Sequence, residues 1–409
     1  MSDIFRLGVL GRGTVGAAFI EMVRARSQKV QHITGMKPEI VGVLSHASTE
    51  SDFDRLLSES DLIVELIGGI EPARTYVLKA LAAGRHVVSA NKQLISSHGE
   101  ELYRAARDGN VQLRFEGAVA GAVPVVRVVS ESFAGARITG VHGIVNGTTN
   151  YILSEMAARG LTFAEALGEA QRLGYAEADP SDDVDGRDAA AKMAIIARLA
   201  FGVAVSIEQV SYEGIREITP YDLAYAREFG LSLKLIGAAD LREDGLAIWV
   251  HPVFLYAGHP LASVSGSFNA VTVESPDFTE ITMSGPGAGG PQTATAVLGD
   301  VISAMIPPAS SFSTPVPIAI CTDTIAAFYL HLEVADEPGV LAAVAKLLAG
   351  HQVSVQSVLQ RGGGDQAHLV MVVHPVLESQ FYAALEEIAE LRVLRAPPRV
   401  IRVLEEEFQ

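Results

Sequence analysis

The chain has 409 residues, 49% of them hydrophobic and 19% charged, with 38 glycines and 18 prolines. That length suits two to three packed domains at ~100–200 residues each, and so large an apolar share excludes a disordered chain. Forty-eight acidic side chains against 31 basic ones give a formal net charge of −17, which argues against nucleic acid or an anionic membrane as a partner.

Short apolar runs alternate with helical patterns through the first third. Leu7–Leu10 predicts a strand, followed by a glycine loop and a helix from about Thr14 to Arg26. Buried-type strands are expected at Ile40–Leu44, Leu62–Ile67, His86–Ser89 and Val111–Phe115. Pro72 stands where a first-turn proline belongs and Gly84 where a helix-ending glycine belongs. Ser96 or Ser97 is placed to cap the helix that stops before Gly109. This alternation predicts an α/β fold, a doubly wound parallel sheet of the Rossmann type.

The middle third changes character. Thr162-Phe163-Ala164-Glu165 is a capping box opening a helix that Gly174 closes, and Asp185–Leu199 is a second helix with a nearly all-apolar interior, ending at Gly202. Thr219-Pro220-Tyr221-Asp222 starts another. Runs rich in β-branched and aromatic residues follow at Leu246–Leu255, Ser263–Glu274 and Phe278–Met283, so this part reads as an α+β unit with a mostly antiparallel sheet. Residues 306–324, dense in proline, serine and threonine, read as a linker. Beyond it Ala327–Val334, Val340–Ala349, Val353–Gln360, Ala367–Val373, Gln380–Glu390 and Arg392–Leu404 fill the strand and helix order of a ferredoxin-like fold. The expected domains are 1–130, rejoined by 285–310, then 131–305 and 325–409.

Cys321, the single cysteine, can form neither an intramolecular disulfide nor a cysteine-rich metal cluster. Asp3 and Arg6 interrupt the first residues, which do not read as a secretory signal. The longest apolar region, Ala189 to Ile207, carries Lys192 and Arg198 and reads as a buried helix, not a membrane span. A cytoplasmic location is expected.

Gly11-Arg12-Gly13-Thr14-Val15-Gly16 matches G-x-G-x-x-G between a strand and a helix. Its glycines allow a tight turn, close approach to a pyrophosphate and close helix packing, while the helix N-terminus faces the negative charge. A dinucleotide site is the expected reading, and turn geometry alone the bland one. NAD-selective sites carry an acid at the end of the second strand, but here that position reads Leu44-Ser45-His46-Ala47-Ser48. This permits a 2′-phosphate, which Arg12 would help neutralise, so NADP is expected ahead of NAD.

Lys92 follows Ser89-Ala90-Asn91 at the carboxyl end of the fourth strand, the edge where ligands of open parallel sheets lie; a surface lysine is the alternative. Asp188 and Lys192 share one helix face. Most such pairs face solvent, yet residues 189–191 and 193–197 are all apolar, so Lys192 needs a polar cavity. Glu177, Asp179, Asp182, Asp183 and Asp185 crowd the loop upstream, either a solvated cluster or a binder of an amino group. Glu116 precedes a small-residue turn, Gly117–Pro124, whose carbonyls suit an alkali cation if it is not a plain strand-to-helix turn. There is no H-E-x-x-H spacing and no G-x-S-x-G nucleophile.

Together these motifs resemble the homoserine dehydrogenase family, of the monofunctional type with a C-terminal ACT regulatory domain. The resemblance is carried by Gly11–Gly16, Val64–Pro72, Ala90-Asn91-Lys92, Glu116–Pro124, Asn146–Leu153, and Leu173–Pro180 leading through Asp182-Asp183 to Asp188 and Lys192. It implies reversible, nicotinamide-dependent reduction of L-aspartate 4-semialdehyde to L-homoserine, on the route to threonine and methionine. Carried onto this sequence, it makes Lys192 the proton donor and Lys92 a second positive charge touching cofactor and substrate. Glu177 would hold the substrate's amino group, with Asp183 in the same cluster, and Asp188 would orient substrate and Lys192. Gly174, Gly287 and Gly289 would approach the cofactor, while Glu116 and the carbonyls of Val119, Gly121 and Val123 match the family's structural sodium site. The tail from Leu332 to Leu341 looks like the opening of an ACT domain, with Gly339 admitting an amino-acid effector. Threonine feedback and a homodimer or homotetramer paired through ACT sheets follow from the resemblance. The alternatives are another amino-acid or semialdehyde dehydrogenase, which a panel of amino alcohols would separate, and a catalytically inactive amino-acid sensor on the same scaffold.

Overall fold

A computed structural model describes residues 4–45, 47–306, 318–361 and 367–404. Its first unit runs β1 (Ile4–Leu10), α1 (Thr14–Thr34), β2 (Lys37–Leu44), α2 (Glu50–Glu59), β3 (Leu62–Glu65), α3 (Ala73–Ala82), β4 (His86–Ser89), α4 (Lys92–Asp108) and β5 (Leu113–Arg114). These strands pair in parallel in the order β2-β1-β3-β4-β5. Their apolar character has a simple cause, since both faces are covered. Leu7, Val9, Leu62 and Val64 pack with Phe19 and Val23 of α1, while Leu10, Ile63 and Val87 lie under α2 to α4.

Three expectations for this unit are corrected. Helix α1 continues past Arg26 because Val23 and Val30 keep its buried stripe going until Gly35 closes it at φ +77°. Ser96 and Ser97 lie inside α4 and do not cap it; Asn91 does, accepting the Leu94 amide at 3.1 Å. The fifth strand is short because the chain turns from Phe115 into a 3₁₀ turn over Glu116–Ala118.

The second unit comprises α5 (Val125–Arg127), β6 (Gly140–Ile144), α6 (Gly147–Arg159), α7 (Phe163–Arg172), α8 (Ser181–Val184), α9 (Arg187–Phe201), β7 (Ser211–Tyr212), α10 (Pro220–Glu228), β8 (Leu231–Arg242), β9 (Gly245–Tyr256), β10 (Phe268–Ser275), β11 (Thr279–Pro286) and α11 (Gly290–Ala304). Neighbours in the order β11-β10-β6-β8-β9 are antiparallel. The sequence reading lacks β6 and β8. Two glycines dilute the β signal of the first, and Lys234 with Gly237-Ala238-Ala239 dilutes that of the second, although the run Leu233–Ala239 of β8 is buried throughout. Gly237 has a packing reason: a Cβ there would collide with Met193 of α9. Helix α11 returns to the first sheet, where Ala294, Val297 and Val301 join the cluster of Leu7 and Val9.

The third unit is β12 (Ile320–Cys321), β13 (Ile325–Val334), α12 (Val340–Gly350), β14 (Val355–Arg361), β15 (Ala367–Leu377), α13 (Glu378–Ala389) and β16 (Arg399–Leu404). Its strand order β16-β13-β15-β14 is ferredoxin-like. Phe328, Leu330 and Leu332 face α12 and α13, while Tyr329, Val370 and Ile401 join the core that includes Leu223 and Ala226 of α10. Strand β16 pairs in parallel with β9, Arg402 opposite Val253, so one sheet runs through the second and third units. Among the described residues no helix is long and apolar enough to cross a membrane.

Candidate active site

Gly11 leaves β1 at φ +101°, and a Cβ on it would stand 2.5 Å from the Leu66 carbonyl oxygen. At Gly16 a Cβ would run into the Gly11 carbonyl, whereas at Gly13 it would meet nothing within 4 Å. Gly13 is the N-cap of α1, no side chain caps it, and no acid lies in the first turn, which begins Thr14-Val15. Free amides with open space before them are what a pyrophosphate needs, so these residues fit a dinucleotide. Beyond β2, Ser45 and Ser48 close a turn (Ser45 amide to Ser48 Oγ, 3.0 Å); Arg12 is exposed, and His46 lies outside the described residues. A Cβ on Gly290 would lie 3.0 Å from the Thr14 carbonyl oxygen, so the start of α11 stands against the glycine loop, whereas Gly287 lies against Asn269. Gly174 follows α7 at φ +78° and is exposed.

At the carboxyl edge of the same sheet, Glu65 is fully buried and organises its neighbours. Its carboxylate accepts the Ile67 amide at 2.8 Å, the Gly68 amide at 3.2 Å and the Ser89 hydroxyl at 2.6 Å. Asn91 donates to the Gly69 carbonyl at 2.6 Å as well as capping α4, which fixes Lys92 as the first helical residue.

Lys92 reaches across to the second unit and forms an ion pair with Asp188. Lys192 Nζ lies 2.7 Å from Asp188 Oδ2 and donates to the Val145 carbonyl at 2.7 Å. The Asn146 amide nitrogen donates both to Asp188 Oδ2 at 2.8 Å and to Asp183 Oδ1 at 2.7 Å. Only 1% of the Asp188 side chain is exposed, against 12% for Lys192 and 36% for Lys92. Burial pushes the Asp188 carboxyl up, but the Lys192 and Lys92 ammoniums outweigh it and hold the group well below the usual carboxylate range. At Asp183 burial, then the charge of Asp188, raises the carboxyl. For Lys92 burial works against the charge, and Asp188 more than restores it. Glu177 is not brought into this group: it is exposed on the loop between α7 and α8. Local sequence held the signal for Asn146, an N-cap residue ahead of Thr148-Thr149, but not its reach to two carboxylates.

The Glu116 carboxylate is buried and accepts the Val126 and Arg127 amides at 2.9 and 2.8 Å, while the Glu116 amide donates to Asp300 at 2.7 Å. Burial, then Asp300, pushes Glu116 up to about 7, and burial raises Asp300 to about 6. Ala120 and Gly121 take positive φ (54° and 61°) between Val119 and Val123. Carboxylate and carbonyl oxygens are the donors a hard alkali cation takes, although here both Glu116 carboxylate oxygens accept backbone amides and the Val123 carbonyl accepts the Val125 amide at 2.8 Å. Among the described residues no group of three or more His, Cys, Asp or Glu could hold a metal ion.

A homoserine dehydrogenase family model matches residues 124–302, the family's NAD-binding domain matches 11–116, and an ACT domain matches 329–393. The chain is 39% identical to homoserine dehydrogenase of Synechocystis sp., with 98% of this chain and 99% of that one covered. It belongs to the homoserine dehydrogenase family. The Corynebacterium glutamicum homoserine dehydrogenase is 40% identical, with 97% and 95% covered. Among solved structures, a homoserine dehydrogenase from Thiobacillus denitrificans superposes with a TM-score of 0.91 at 34% identity over 99% of this chain and 100% of that one. A hyperthermophilic archaeal homoserine dehydrogenase in complex with NADPH gives 0.63 at 26% identity over 74% and 97%. This homoserine dehydrogenase is therefore a nicotinamide-dependent oxidoreductase acting on a CH–OH group, joined to an ACT domain.

Proposed function

We propose that Lys192 is the proton donor in the reduction of L-aspartate 4-semialdehyde to L-homoserine, and its acceptor in reverse. The observation that carries this is the convergence of two lysines, Lys92 from the first unit and Lys192 from the second, on the buried Asp188. A bound nicotinamide supplies the hydride that reaches the aldehyde carbon. As the carbonyl oxygen gains electrons, the Lys192 ammonium stabilises it and delivers the proton that completes the hydroxyl. Lys92 supplies a second ammonium beside it, while Asp188 and Asp183 keep the group as a whole from excess positive charge. Asp188, fixed by Asn146, aims Lys192 and helps orient substrate. Asp183 and Glu177 hold the substrate ammonium, Glu177 from its exposed loop.

By this reading NADP is preferred to NAD. What supports this is that no carboxylate follows β2 before Glu50, that Ser45, Ser48 and the exposed Arg12 offer donors to a 2′-phosphate, and that the archaeal relative is in complex with NADPH. Glu116 and the carbonyls of Val119, Gly121 and Val123 hold a structural sodium ion. Threonine binds the ACT domain at Gly339, which opens α12 at φ +97° with nothing within 4 Å of a Cβ. A second copy pairs along β14, the open edge of the tail's sheet, to give a homodimer or homotetramer in the cytoplasm.

The test is absorbance of reduced cofactor with purified protein, L-homoserine and NADP⁺ or NAD⁺ at alkaline pH, with and without L-threonine. Homoserine-dependent reduction, faster with NADP⁺ and slowed by threonine, is expected. Faster turnover with NAD⁺ would overturn the cofactor assignment, and indifference to threonine the effector assignment.

A further inference from the structure

Asn269 on β10 is fully buried, and neither Oδ1 nor Nδ2 has a hydrogen-bond partner among the described residues. Protein interiors avoid leaving both halves of an amide unpaired. The surroundings are glycine. Gly285 faces Asn269 across the β10–β11 ladder, a Cβ on Gly287 would fall on the amide itself, and one on Gly147 would lie 3.6 Å from Oδ1. Backbone is drawn tightly around the amide, yet none of it bonds.

Position adds to this. Asn269 shares its sheet face with Val271 and Val273, in the core that includes Ile152 of α6 and Met193 of α9. Gly147 directly follows the Val145-Asn146 turn that holds Lys192 and Asp188. On the other side, a Cβ on Gly121 would collide with the Gly287 carbonyl. The start of α6, the Gly285–Gly289 turn and the loop after Glu116 thus meet at one unsatisfied amide.

We propose that Asn269 is a further recognition residue of the dehydrogenase site, its amide pairing with the carboxamide of the nicotinamide ring once the Gly285–Gly289 turn moves off it. The inference rests on the reading of the Lys92–Asp188–Lys192 group as the nicotinamide-dependent site. A primary carboxamide presents a donor and an acceptor side by side and so matches both halves of an asparagine amide, whereas a carboxylate or an ammonium satisfies one half only. Glycines at 285, 287 and 289 give the turn the freedom to move, and Gly289 already sits at φ +118°.

Asn269→Leu removes the amide at similar volume. In ligand-free protein it raises Tm, because two unpaired polar groups leave the core. Titrated by fluorescence, NADPH binds the variant about tenfold more weakly, the worth of about one to two hydrogen bonds. The 3-acetylpyridine analogue, whose ring carries no amide N–H, loses less. Asn269→Ala gives the same weakening of NADPH and decides the matter if the leucine variant does not fold. Unchanged NADPH binding in either folded variant overturns the proposal. So does a result in which the thermal shift given by homoserine alone is lost while NADPH binding is kept, since the amide then serves the substrate. Wild-type turnover with homoserine is measured alongside; its absence would overturn the functional reading itself.

Discussion

Lys192→Ala tests the chemistry directly. The substitution takes the ammonium on Asp188 Oδ2 out of the site, while Lys92 still pairs with Asp188. A unit charge about 4 Å from an oxyanion, at an effective dielectric constant of about 20, is worth about 4 kcal/mol. Loss of a single donor at such a site costs about 2.7–4 kcal/mol. We expect kcat to fall about 10²–10³-fold, read as homoserine-dependent absorbance of reduced nicotinamide. The glycine loop is untouched, so cofactor affinity by fluorescence titration stays near wild type. Turnover within a few-fold of wild type would show that neither proton nor charge comes from this side chain.

Other outcomes follow from neighbouring geometry. Asn146→Ala removes two bonds to Asp183 and Asp188 and the cap of α6; we expect a loss of about 1 kcal/mol in stability by denaturant unfolding and about a tenfold fall in kcat. Gly13→Ala has room in the ligand-free protein, so its Tm stays level while the KM for cofactor rises; a matching fall in Tm would argue against an open cradle. His142 lies 2.8 Å from Asp240 and 3.2 Å from Glu274. Burial lowers its pKa, but the two acids outweigh it and push the imidazole up to about 10. A base held above its unfolded pKa of about 6.5 contributes stability that is complete below that pH and lost on the way to about 10. The Tm difference between wild type and His142→Asn therefore shrinks across that window, and a difference that grows would refute the pairing.

Much of the site was legible because its signals are local. The glycine loop announces itself between a strand and a helix, and the spacing of Asp188 and Lys192 places them on one face without tertiary knowledge. Other features needed the fold. Asn91, Ser96 and Ser97 are all cap-type residues, and it is the Leu94 amide on Asn91 Oδ1 that decides between them. The Lys92–Asp188 pair joins separate units, so no window of sequence holds both partners. Strand β8 was hidden because a buried lysine and three small residues interrupt its pattern where α9 presses on the sheet. The exposure of Glu177 could not be foreseen from an acidic loop that reads equally well as packed or solvated.

The pairing of β16 with β9 fixes how the tail is joined to the second unit. A regulatory module on a tether could reorient without disturbing its enzyme, but here a backbone ladder welds the two, and Arg402 beside that seam is clamped by Glu378 and lies 5.4 Å from the Trp249 ring. The tail is thus a cantilever built into the wall. Strand β9, to which it is joined, pairs along its length with β8, and Met193, resting on Gly237 of β8, belongs to the same helix as Lys192.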